Sequence, residues 1–127
     1  MSRVVNHAPP SAAPLRSEQL ELLRMLAYSY QRHGQSARAA VLWSALHALS
    51  PSNAFTAKSL AHALLRSARP EQALALLDRL MDAGDASALT HLLRSQALVM
   101  TGRLAEAARS MRFYVAARSE HKPMKGT

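Results

Sequence analysis

A spacing of 34 residues organises this chain. Gly34, Ala68 and Gly102 fall 34 apart, as do Ala39, Ala73 and Ala107, and again Trp43, Leu77 and Met111. Each set supplies one part of a helix-turn-helix unit. The first is a small residue where the backbone reverses, and the second a small residue five positions on. The third is a large apolar residue four beyond that, one turn further along the same helical face. A unit of this kind cannot hide its apolar face within itself. It stacks on a neighbour, and the stack leaves an extended surface suited to a peptide or helix from another protein. The pattern predicts a chain that folds by stacking and works by binding.

Composition agrees with helices and with little else. Ala (25) and Leu (20) together make more than a third of the 127 residues, and β-branched residues are sparse. With only six aromatics, the core has to be built mostly from Leu against Ala. The absence of cysteine excludes a disulfide scaffold or thiolate metal site and fits a reducing cytoplasm. No apolar run reaches the roughly 18 residues of a membrane span, and the N-terminus has no signal-peptide h-region. The net charge is +8, half of it within residues 1–16 and 118–127. That balance permits nucleic-acid binding, but there is neither a clustered basic helix nor an aromatic stacking platform, which argues against it.

Punctuation along the chain sets the boundaries. Residues 1–16, with Pro9, Pro10 and Pro14, read as a disordered Pro/Ala-rich leader. The folded domain spans 17–118 and divides at 20–53, 54–87 and 88–120, followed by a flexible basic tail over 119–127. Ser17 and Ser36 are expected to cap the first two helices, with Asn53 or Ser52 capping the third. Pro51 stops the second helix, Pro70 opens the fourth, and Asp85 is expected to cap the fifth. Helical periodicity places Leu22, Leu23, Leu26, Ala27 and Tyr30 on one stripe of the first helix. It assigns Ala39, Leu42, Trp43, Leu46 and Leu49 to the second, and Ala57, Leu60, Ala61 and Leu64 to the third. The fourth turns Ala73, Leu74, Leu77 and Leu80 to the core, the fifth Leu93, Ala97 and Leu98, and the last Leu104, Ala107, Ala108, Met111, Tyr114 and Val115. His91, Arg94 and Ser95 break the pattern of the third unit, which points to divergence or to a rotated helix.

These units resemble tetratricopeptide repeats. The first matches best, through Leu23, Leu26, Ala27, Tyr30, Gly34, Ala39, Trp43 and Pro51. The resemblance implies three repeats stacked as a short right-handed superhelix. Residues 22–53, LLRMLAYSYQRHGQSARAAVLWSALHALSPSN, and residues 92–115, LLRSQALVMTGRLAEAARSMRFYV, also look like the YscY (SctY) family of type III secretion chaperones. That likeness covers roughly residues 18–118. It implies a cytoplasmic chaperone of a small exported protein of the YscX (SctX) type, and a pair that engages the cytoplasmic part of the export-gate protein YscV (SctV).

In such a stack the first helix of each unit lines the groove. Carried onto this chain, the groove-facing places are Glu21, Arg24, Tyr28, Gln31 and Arg32 in the first unit. The second offers Phe55, Lys58, His62, Leu65 and Arg66, and the third Leu89, Leu92, Gln96, Val99 and Met100. The groove would grade from charged to apolar. Phe55, Leu65, Leu89, Leu92 and Val99 would accept the stripe of a partner helix. Arg24, Lys58 and Arg66 would meet acidic groups on its flank. The competing reading packs Leu89 and Leu92 under the last helix and leaves Tyr28 as ordinary surface. Trp43, at a packing place on a second helix, reads as core.

Six histidines show no metal-ligand spacing, and Asp78, Asp82 and Asp85 read as solvated residues at a helix end. No phosphate loop, nucleophile elbow or paired carboxylates appear, so neither an enzyme nor a bound cofactor or metal is expected. The leading expectation is the YscX-binding chaperone. The alternatives are a chaperone of translocator or needle subunits, and a general or RNA-associated scaffold. An unfilled apolar groove favours a homo-oligomer when the partner is absent.

Overall fold

The computed structural model describes residues 16–121, so the expected leader before Arg16 and the tail beyond His121 lie outside the described residues, while residues 119–121, expected in the flexible tail, belong to the last helix. Six helices follow one another: α1 (Ser17–Arg32), α2 (Ser36–Leu49), α3 (Ala54–Arg66), α4 (Pro70–Asp82), α5 (Ala88–Met100) and α6 (Leu104–His121). Each packs on the next in sequence, and α3 also touches α5. The chain is all-α, built of three helix-turn-helix pairs. No helix among the described residues is long and apolar enough to cross a membrane.

The turns explain the 34-residue spacing. Gly34 and Gly102 hold φ of 76° and 79°, and Ala68, at the equivalent place, holds 63°. In each case the residue that follows donates its backbone N–H to the carbonyl five residues earlier: Gln35 to Tyr30, Arg69 to Leu64 and Arg103 to Leu98, each at 2.8 Å. This is the Schellman closure, which satisfies the end of one helix while reversing the chain into the next. Gly84, with φ of 99°, repeats it between the second and third pairs, where Asp85 donates to Leu80.

Caps are partly as expected. The Asn53 side chain accepts the backbone N–H of Thr56 at 3.0 Å, and Pro70 is the first residue of α4. Ser17 and Ser36 do not cap; both are already helical, after Arg16 and Gln35. At the first end the backbone N–H of Arg16 is instead satisfied by the Gln19 side chain at 2.9 Å. Asp85 does not cap α5 either. Ser87 holds that place, and Asp85 is drawn into the polar cluster described below.

The core is Leu and Trp against Ala. Trp43, Leu77 and Leu98 are fully enclosed, and Ala27, Ala39, Ala61, Ala73 and Ala97 have no exposed surface, which lets the helices approach closely. The third pair is in register: Ser95 is buried where Ala27 and Ala61 are, and donates to the Ala107 carbonyl at 3.3 Å. Apart from Leu49, the last residue of α2, the departures from expectation lie on the two end helices. Leu22 and Leu26 on α1, Leu49 on α2, and Leu104, Ala108, Met111 and Val115 on α6 are exposed, although the periodicity assigned them to the core. The first pair lacks a predecessor among the described residues and the last lacks a successor. A correct helical stripe there has nothing to pack against.

Ala68 carries a left-handed backbone that costs an L-residue about 1 kcal/mol more than glycine. Ala68→Gly is therefore expected to raise stability only slightly, by up to about 0.6 kcal/mol, once the roughly 0.4–1 kcal/mol of added freedom in the unfolded chain is subtracted. The urea midpoint, measured at unchanged m-value, checks this.

Candidate functional site

Two adjoining recesses run across the first helices of the pairs. The smaller, about 320 Å³, is lined by Gln31 of α1, Phe55, Lys58, Ser59 and His62 of α3, and Leu89 and Leu93 of α5. The larger, about 640 Å³, takes in the turn at Gly34 and Ser36, then His62, Leu65 and Arg66 of α3. Ser95, Gln96, Val99 and Met100 of α5 and Met111 of α6 complete it. His62 belongs to both, so the two recesses form one groove with His62 at its middle.

Of the residues expected in the groove, Gln31, Phe55, Lys58, His62, Leu65, Leu89, Gln96 and Val99 line it, together with Arg66 and Met100. Arg24, Tyr28 and Leu92 line neither recess. Arg24 pairs with Glu21 on its own helix at 3.2 Å, a surface contact of small energetic weight. Tyr28 lies exposed under the Arg32 guanidinium, 5.7 Å from its ring centre. Leu92 is half-buried. Leu65 lines the groove but is only 7% exposed, so it serves the core as well, contrary to its expected freedom. Phe55 (63% exposed), Leu89, Val99, Met100 and Met111 are the apolar side chains that the groove leaves to solvent.

The groove floor is tied to the core through Trp43. The indole Nε1 donates to Gln31 Oε1 at 2.8 Å, and Phe55 stands edge-on to the indole ring at 6.0 Å and 80°. One buried side chain thus orients two groove residues from beneath. Gln31 and Phe55 belong to different pairs, and no local spacing reveals that a single tryptophan holds both.

Lys58 corrects the expected rim of free cations. Its ammonium lies 2.9 Å from Asp85 Oδ2 and donates to Ser87 Oγ at 3.0 Å, with both charged side chains largely shielded. Asp85 also accepts from the Ser87 backbone N–H and from the hydroxyls of Ser87 and Thr90. Burial pushes the Asp85 carboxyl up, but the bond from Lys58 and those from Ser87 and Thr90 outweigh it and hold the group well below the usual carboxylate range. The cluster fastens α3 to the loop that precedes α5 and is not a solvated helix end. Asp78 is likewise engaged: Arg94 Nε donates to its Oδ1 at 2.8 Å, and Arg94 Nη1 donates to Ser110 Oγ at 3.0 Å. The odd residues of the third pair are therefore its fastenings. Arg94 ties α4, α5 and α6 together, and His91 stacks on Phe113 with ring centres 5.3 Å apart.

Among the described residues no carboxylate lines either recess, and no group of three metal-ligating side chains occurs. Burial, then the neighbouring Arg66, lowers the pKa of His62, which keeps its ring neutral at neutral pH. With Lys58 matched by Asp85, Arg66 is, among the described residues, the charge in the groove lining with no ion pair. The surface is thus an apolar and hydrogen-bonding groove with one cation at its edge. No protein-family model matches the sequence, and no curated protein matches it.

His91 has a lowered pKa as well, from burial and then from Arg94, and its Nδ1 is buried without a partner. The unfolded chain therefore binds more protons than the folded one below the ordinary histidine pKa of about 6.5. The contribution of His62 and His91 is complete above that pH and is lost as pH falls through it toward their folded values. Asp85 adds a second loss as pH falls below 3.8, the value of an unperturbed carboxyl. The urea midpoint is expected to hold above about pH 7 and to fall by about pH 5. His91→Phe should flatten that first decline.

Proposed function

We propose that this chain is a tetratricopeptide-repeat chaperone that holds an apolar segment of a partner protein in the groove over α1, α3 and α5. The observation that carries the reading is the exposure of Phe55, Leu89, Val99 and Met100 within one groove whose floor is fastened to the core. Exposed apolar side chains gathered in a groove mark a surface that works by being covered. A partner segment that is disordered or aggregation-prone alone becomes ordered as its apolar stripe covers them. Catalysis has no part in this.

The finer reading rests on the likeness of residues 18–118 to the YscY family. The partner is then a small exported protein of the YscX type, held in the cytoplasm and brought to the export gate YscV. The smaller recess takes its bulky apolar residues between Phe55 and Leu89, and the larger accepts the continuation of the stripe over Val99 and Met100. The amide of Gln96 and the guanidinium of Arg66 supply orientation from the groove's edge.

Co-expression with the YscX-type protein of the same cell, followed by size-exclusion with light scattering, tests this. A one-to-one complex better behaved than either chain alone is expected. Phe55→Glu and Val99→Glu should each weaken it by about tenfold or more while leaving the helical circular dichroism unchanged, because both side chains are exposed. A well-folded chain that forms no such complex would overturn the YscX assignment. Capture of a translocator or needle subunit instead would move the client class. Binding of random nucleic acid with a steep salt dependence would favour an RNA-associated scaffold.

A further inference from the structure

The middle of this stack shows how its two ends could be covered. On the second helices, Ala40 and Trp43 of α2 and Leu74 and Leu77 of α4 are buried, Trp43 to 2% and Leu77 to 0% exposure, where the first helix of the next pair follows. The residues at the same places on α6 are Ala108 and Met111, and both are exposed. With Leu104 and Val115 they form a stripe spaced by four, three and four residues, the spacing of a helix-packing seam. At the other end the relation reverses. Thr56 and Leu60 of α3, and Thr90 and Leu93 of α5, are buried. Their equivalents on α1 include Leu22, Met25 and Leu26, which are 65%, 60% and 43% exposed.

The face of α1 left open among the described residues is therefore the kind of face that covers a second helix, and the seam of α6 left open there is the kind of seam that such a face covers. Their charges also match. Glu18 and Glu21 lie in the first turns of α1, and Arg112 and Arg118 lie in the later turns of α6. Antiparallel packing, as between consecutive helices here, brings those ends together. Arg16 and Glu120, which lie at the two ends of the described residues, are also of opposite sign.

We propose that the chain associates head to tail with a second copy of itself, α1 of one protomer lying in the α6 seam of the next as α3 lies on α2 and α5 on α4. The two surfaces differ, so the contact is heterologous and leaves a free end at each addition. It uses the ends of the stack and shares only Met111 with the lining of the larger recess, so the test substitutions are placed at other seam residues and the proposal does not depend on what the groove binds.

The test uses the full chain and two paired substitutions, Leu22→Glu with Met25→Glu, and Ala108→Glu with Val115→Glu. All four side chains are exposed, so the helical signal should be retained. Sedimentation equilibrium of the unaltered protein should show a mass that climbs with concentration past that of two protomers. Each variant alone should stay at the mass of one. An equimolar mixture should give the mass of two and no more, because only one complementary pair of ends remains. An unaltered protein that stays monomeric, a variant that assembles as the unaltered chain does, or a mixture that fails to combine would each overturn the proposal. So would a pair that stops at two and is abolished by only one of the substitutions, since that is a symmetric contact. Should either apolar variant lose helix, charge reversal takes its place: Glu18→Arg with Glu21→Arg should weaken assembly, and mixing with Arg112→Glu plus Arg118→Glu should restore it.

Discussion

The structure depends on the contact between the second helix of one pair and the first helix of the next. Within a pair, the short turn and the alanines bring two helices together, but the larger apolar residues of the second helix point past that junction. Trp43 is enclosed once α3 follows, and Leu77 once α5 follows. The junction of the second and third pairs carries two polar fastenings: Lys58 with Asp85 from α3 to the loop before α5, and Arg94 with Asp78 from α5 to α4. An ion pair in a partly shielded place contributes less to net stability than to fixing which neighbours meet, since breaking it strands a charge while a packed apolar pair would serve as well. Here the pairs set the register of one helix-turn-helix unit upon the next.

The groove is a by-product of the same contact. Because Trp43 is locked under α3, its indole N–H is left facing α1, where Gln31 accepts it, and its ring packs perpendicular to Phe55. The recess is built from the core outward. This also accounts for the mixed roles of its lining: Leu65 faces the groove and is spent on the core, whereas Phe55 faces it and is free. Lys58 shows the same economy of position. It lines the recess, yet its charge is answered inside the molecule, so the groove offers a partner less positive potential than its composition suggests.

Much of this was legible in the sequence because the repeat is local. Gly34, Ala68 and Gly102 announced three identical turns, and the structure closes each with the same bond. The core of the middle pair could be read from periodicity, since α3 and α4 have neighbours on both sides. The same periodicity misjudged Leu22, Leu26, Leu104 and Val115: a helical stripe records which residues share a face and not whether anything covers that face. Pairings across units were hidden for another reason. Asp85 looked like a cap beside a glycine turn, and only the placement of Lys58, far earlier in the chain, turned it into the centre of a cluster. Likewise Arg94, Ser95 and His91 looked like flaws of register because their partners, Asp78, Ala107 and Phe113, come from other helices.

The sequential packing has a consequence for how the molecule forms and opens. Helices that touch mainly their neighbours in the chain are joined by closing small loops, which costs little entropy and favours rapid folding. Stability in such an array is a sum of units and of junctions between units, so openings begin at the termini and spread inward. Among the described residues the outer helices α1 and α6 each pack chiefly on one neighbour, whereas α3 packs on α2, α4 and α5. Phe55, Lys58 and His62 therefore sit on the element that local fluctuation reaches last, and the groove can keep its shape while the ends of the stack breathe.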